Sequence, residues 1–201
     1  MSFQTIIDIH QSISVNNRRM IGQQYSRSGQ ITVAQYLTTV PWIFTVKPHQ
    51  YLSYAQVRSV IQNIDNADRQ NPQYINFTSS SLNWFTKMQG TATTATLAAT
   101  PATNTQTLSV NANGTFKAGD FISINGYVYK VTADVSGSNP LSVGIHRPII
   151  GSPTSGTSLV LGSAVQFYVV AEKCPTYTLT PMKDTAFVEW DGEFVFREYI
   201  T

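Results

Sequence analysis

Phe121-Ile122-Ser123-Ile124-Asn125-Gly126-Tyr127-Val128-Tyr129-Lys130-Val131 is the stretch of this 201-residue chain that most constrains its fold. Two short runs rich in β-branched and aromatic residues flank Asn-Gly, the strongest short-range hairpin signal, because a tight turn needs left-handed backbone at both central residues. A two-residue turn there sets Ile124 opposite Tyr127 and Ile122 opposite Tyr129. Strands near 141–150 and 158–162 follow, separated by the turn-rich GSPTSGTS. Upstream, 13 of the 18 residues in 90–107 are Thr or Ala and none is charged, which reads as a linker over 90–106. Residues 107–164 then read as a small inserted β domain, an antiparallel β-barrel or sandwich of four to six strands.

Outside that segment the chain reads as a second β-rich module made of 1–89 and 165–201. Residues 3–15 alternate, with Phe3, Ile7, Ile9, Ile13 and Val15 on one parity and Ile6 off it, which suggests a half-buried strand. Residues 16–30 are polar and glycine-punctuated, giving a long loop or a loose hairpin. Residues 31–46 read as a strand interrupted near Pro41, and 73–88 as another. One helix is predicted, about 54–66: Ser53 and Gln56 have capping-box spacing, and Val57, Val60, Ile61 and Ile64 follow at i, i+3, i+4, i+7. The end of the chain reads as strand Val165–Ala171 and a hairpin around Asp191-Gly192 that would set Phe187 opposite Phe196 and Val188 opposite Val195. The small domain thus reads as inserted in a discontinuous module; the alternative reading is two consecutive domains.

Charged residues make up 12% of the chain, about half the ~25% of ordinary soluble domains. Thr, Ser, Asn and Gln supply the polarity instead, which suits faces that neighbours cover. The net charge of +2 is too small to argue for nucleic acid. Residues 1–89 carry seven cations against three anions, and residues 90–201 carry six against eight. Cys174 is the only cysteine, so no internal disulfide is possible. MSFQTIIDIHQS lacks a basic segment and a continuous apolar run, so no signal peptide is expected, and no apolar stretch predicts a membrane span.

Nothing predicts catalysis, a cofactor or a metal. His10, His49 and His146 lie outside ligand spacing of one another and of Cys174. Cys174 lacks a local nucleophile signature, and no serine sits in a G-x-S-x-G elbow. Gly114–Asp120 lacks phosphate-loop spacing and reads as a turn into the Phe121 strand. Glu189, Asp191, Glu193 and Glu198 cluster in sequence, but Asp191 suits the turn and the rest read as solvent-facing strand residues. Arg18, Arg19, Tyr25 and Arg27 are the candidate inter-subunit contacts, since Arg and Tyr anchor interfaces through bidentate hydrogen bonds and rigid contact area.

Three features together resemble tail and baseplate structural proteins of tailed bacteriophages, of the tail-hub or distal-tail kind. They are the N-terminal strand and Arg-bearing loop before a capped helix, the module LSVNANGTFKAGDFISINGYVYKVTADV, and the aromatic ending AFVEWDGEFVFREYI. The resemblance implies a β-sandwich or split-barrel, tail-tube-like module with one helix carrying the inserted barrel. It further implies a homo-oligomeric ring, a trimer or hexamer, that binds other tail proteins in the virion after synthesis in the bacterial cytoplasm. Nucleic acid would at most pass through a lumen, and no catalytic residues come with the family. Two alternatives stand beside it: a head–tail joining or tail-completion protein, and a carbohydrate- or surface-binding module using Trp42, Trp84, Trp190 and the tyrosines.

Overall fold

The computed structural model describes residues 2–17, 21–25, 31–35, 40–68, 70–79 and 81–201. Strands account for 41% of these residues and helical segments for 16%, and the strands form curled antiparallel sheets, so the fold is mainly β. The chain divides into two compact units. Met1–Asn16, Pro41–Ser79 and Phe167–Thr201 make the first; Asn17–Val40 and Ser80–Gln166 make the second.

The chain opens with helix α1 (Ser2–Asp8) rather than a strand. Phe3, Ile6 and Ile7 are fully buried, and their i, i+3, i+4 spacing is helical. Ile6, the residue that breaks the alternation, is the one the helical period requires. Strand character starts only at β1 (His10–Asn16). β2 (Ile21–Tyr25) and β3 (Ile31–Gln35) pair as an antiparallel hairpin, and β4 (Ile43–Pro48) begins beyond Pro41. β5 (Leu52–Ser53) leads into α2 (Tyr54–Asn63), which starts with the expected capping box, the Ser53 N–H donating to Gln56 Oε1 at 3.3 Å. A π-helical turn, Ile64–Asp68, extends α2. In place of one strand over 73–88 stand the short β6 (Gln73–Ile75) and the one-turn helix α3 (Asn83–Thr86). The single predicted helix is therefore one of three α-helices among the described residues.

β7 (Ala95–Leu97), β8 (Thr107–Ala112), β9 (Phe121–Ile124), β10 (Tyr127–Lys130), β11 (Leu141–Gly144) and β12 (Val160–Leu161) follow. The chain ends with β13 (Phe167–Lys173), β14 (Thr176–Met182), β15 (Thr185–Asp191) and β16 (Phe194–Glu198).

The first unit is built on a five-stranded sheet in the order β1-β4-β16-β13-β6. Its inner face carries Phe44, Phe167, Phe194 and Phe196, all fully buried. Their rings interlock edge-on and tilted, with Phe44 4.9 Å from Phe167 and Phe3 of α1 4.9 Å from Phe196. Burying each such side chain contributes ~1.5–3 kcal/mol. A second sheet, β14-β15-β5, packs Val188 against Val57 and Ile61 of α2. The predicted hairpin of 187–190 with 193–200 does not exist. β15 pairs with β14, Phe187 opposite Thr180 and Val188 opposite Leu179, whereas β16 pairs with β4 and β13 in the other sheet. Gly192, at φ +123°, carries the chain from one sheet to the other, a conformation open to glycine and strained for other residues. The hairpin turn lies instead at Lys183-Asp184.

The second unit holds the Asn-Gly hairpin in the predicted register, Ile124 opposite Tyr127 and Ile122 opposite Tyr129. Asn125 and Gly126 both take positive φ, 51° and 84°, as such turns demand. Beside the β2-β3 pair this unit holds two three-stranded sheets among the described residues, β10-β9-β12 and β11-β8-β7. Isolated bridges Thr96↔Ser158 and Val131↔Ile145 link these two curled sheets, which together form a half-barrel. The expected linker 90–106 is part of this structure. β7 pairs with β8, and Ala92, Ala95 and Leu97 are buried in the same core as Val110, Ile122 and Tyr129. Thr/Ala composition concealed a small-residue strand whose alternate positions, Ala95 and Leu97, point inward. Asp120, only 1% exposed, fastens the start of that segment by accepting the N–H groups of Gln89, Gly90 and Lys117. The second unit also takes in 17–40 and 80–89, which the sequence assigned to the first.

Candidate interaction surface

Arg18, Arg19 and Arg27 lie outside the described residues. Tyr25 closes β2 opposite Ile31, and its side chain is likewise outside them. The carboxylates of the last two strands do not converge. Glu189, Asp191 and Glu193 are exposed. Glu198 is buried, against the expectation of a solvent-facing residue, because its Oε2 accepts the Trp42 N–H at 3.1 Å inside the aromatic core. Among the described residues no three His, Cys, Asp or Glu side chains are grouped to hold a metal ion. His10 Nδ1 contacts the Ile7 carbonyl at 2.7 Å at the end of α1, and His146 Nδ1 accepts the Lys130 N–H at 3.0 Å. No helix among them is long and apolar enough to cross a membrane.

The three tryptophans separate cleanly. Trp42 is 2% exposed and sits on Phe167, Trp84 is 68% exposed, and Trp190 packs on Tyr177 and Phe194 with its indole N–H buried and without an acceptor among the described residues. On the five-stranded sheet, Tyr74 and Tyr168 stack at 4.6 Å and Tyr199 meets Tyr168 edge-on at 5.8 Å.

Two of the edge strands among the described residues, β1 and β14, are seven residues long, and they differ in how they are guarded. Among the described residues β1 pairs only with β4, and β14 only with β15. Edges are templates for association, and monomers blunt them with proline, charge or shortness. β14 is blunted. Met182 and Thr185 flank its two-residue turn and so form a hydrogen-bonded pair. Alternation then directs the backbone of Thr180, Thr178 and Thr176 toward β15 and that of Leu179 and Tyr177 outward. Pro181 shares the outward parity, and so does Pro175 just before the strand, so neither costs a ladder bond and both remove an edge donor. β1, HQSISVN, has seven residues, no proline and no Lys, Arg, Asp or Glu, and five of its residues are exposed. Only the register shift between His10 and Ser12 interrupts it.

A cleft lies between the end of α2 and the start of β14. One lobe, about 260 Å³, is bounded by Ile61, Pro175, Thr176, Tyr177 and Trp190. The other, about 370 Å³, is bounded by Asn66, Gln70, Ala171 and Glu172. Both share Ile64, Asp65 and Cys174. The sequence pointed to neither edge nor cleft. The readable signal was the placement of Pro175 and Pro181, six residues apart around a Thr-alternating strand. No protein-family model and no curated protein matches the chain.

Proposed function

We propose that the chain is a non-enzymatic structural subunit that assembles through β-edge contacts, in the role its sequence resembles: a ring component of a bacteriophage tail tip or baseplate. The observation that carries this reading is β1, a long edge free of proline and of Lys, Arg, Asp and Glu, whereas β14, the other seven-residue edge among the described residues, has proline near both ends. Pairing β1 with a neighbour's strand would satisfy its outward amides and carbonyls and cover the neutral side chains beside them. Contacts of this head-to-tail kind close into rings or propagate as tubes. Arg18, Arg19, Tyr25 and Arg27, in the segment following β1, are proposed as flanking anchors of the same interface, and a split-barrel, tail-tube-like arrangement of the first unit belongs to this reading.

The test is the mass of the purified chain in solution, alone and with Ser12→Lys and Ser14→Lys combined. The wild type should assemble, and the double variant should remain monomeric with an unchanged thermal melt. A wild type that is monomeric at high concentration overturns the reading.

A further inference from the structure

We propose that the cleft beside β14 receives a basic side chain carried by an extended peptide segment, which lies along the two outward amides of Tyr177 and Leu179. Among the described residues the lining of both lobes includes two carboxylates, Asp65 and Glu172, and no Lys or Arg. Glu172 is already held by Arg197 at 3.0 Å. Asp65 is exposed and makes no ion pair among the described residues, so it is the carboxylate open to a partner cation. It stands on the π-helical turn that extends α2, a local departure from the α-helical ladder of a kind common at functional sites. Across from it, Tyr177 and Trp190 form an aromatic wall with ring centroids 5.5 Å apart, and a guanidinium or ammonium gains from lying against such rings.

The cleft opens where β14 begins, and Tyr177 belongs to both. Pro175 and Pro181 leave a short ledge on that edge, with outward N–H groups at Tyr177 and Leu179. The ledge is too short to nucleate a long sheet and long enough to hold a few residues of an extended chain. Strand addition of this type takes affinity from main-chain hydrogen bonds and selectivity from the pocket beside the edge. A basic residue is the side chain that fits, because Asp65 gives it a charge-assisted hydrogen bond and the ring wall takes its aliphatic stem. The inference does not depend on assembly through β1.

The experiment titrates the full ¹⁵N-labelled chain with a capped Gly-Arg-Gly peptide and follows the Tyr177 and Leu179 amides and the Trp190 indole N–H. Saturable shifts at all three are expected. The citrulline counterpart, isosteric and uncharged, and the Asp65→Asn chain should each bind about tenfold more weakly. Asp65 is exposed, so its replacement leaves the fold intact. Absence of a saturable shift overturns the proposal. So does equal binding of the citrulline peptide, or an Asp65→Asn chain that binds like wild type. Spermidine serves as a cation without a peptide backbone, and if it binds as tightly without shifting the Tyr177 and Leu179 amides, the site is one for polyamines and the peptide assignment fails.

Discussion

Single residues in the second unit carry constraints that composition hides. Gly90 stands in the Thr/Ala segment, yet a Cβ there would lie 2.8 Å from Asp120 Oδ2 and 2.9 Å from Phe116 Cα, with the Thr115 carbonyl closer still. Backbone atoms cannot step aside, so Gly90→Ala should cost ~1–3 kcal/mol and lower Tm by several degrees; a flexible linker would show no change. Arg147 is 1% exposed, donates to the Val40 and Val128 carbonyls at 2.9 and 2.8 Å, and lies 5.2 Å from the centroid of the Tyr129 ring. Arg147→Met keeps much of the volume but strips two buried carbonyls of charged donors. Denaturant unfolding should show a loss of ~2–4 kcal/mol. At the surface, the Asp134 carboxylate is held below its ordinary value of 3.8 by the Lys117 ammonium and the Ala118 N–H. A depressed carboxylate pKa adds stability above the unfolded value, and that stability is lost as pH falls through the folded one. Asp134→Asn should therefore lower Tm slightly at neutral pH and leave Tm unchanged at pH 2, where wild type has lost the contribution; an equal deficit at both would point to the amide geometry instead.

Elements differ in how openly the sequence declares them. The β9–β10 hairpin is local: Asn125-Gly126 dictates its turn, and alternation dictates its faces. Helix α2 is equally legible because its cap and stripe agree. Helix α1 is not, since Phe3, Ile7 and Ile9 satisfy a strand period while Phe3, Ile6 and Ile7 satisfy a helical one, and a seven-residue segment is decided by what it packs on, here Phe196. Asp191-Gly192 has a hairpin's chemistry but serves as a crossing between sheets, because β14 and β4 compete for the strands on either side. Edge strands are illegible in the same sense, since pairing partners define them. If β1 is the assembling edge and β14 a guarded one, Thr178→Lys on β14 should leave the mass in solution unchanged while the Ser12→Lys and Ser14→Lys pair on β1 abolishes assembly.

At the scale of the molecule, the half-barrel of the second unit needs β7. Without residues 90–106, β8 loses its outer partner, the Thr96↔Ser158 seam opens, and Ala92, Ala95 and Leu97 leave the core. An excised 107–163 segment should therefore give a collapsed amide spectrum, whereas 80–166 should give dispersed resonances. Dispersion from the shorter segment would show that the half-barrel does not depend on β7.

Local sequence sufficed for the β-rich class, the Asn-Gly hairpin and its register, and the capped helix at 54. These rest on interactions between residues close in the chain, or on periodicities that hold whatever the partner. The tertiary structure alone decided that a Thr/Ala stretch is a core strand, that the chain opens as a helix, that Glu198 is buried, and that β15 and β16 part company at Gly192. It also decided which strands are edges, and which side chains from α2, β13 and β14 line one cleft. Each of these is settled by contacts between segments far apart in sequence, where burial of a few apolar side chains outweighs the small energies of local propensity.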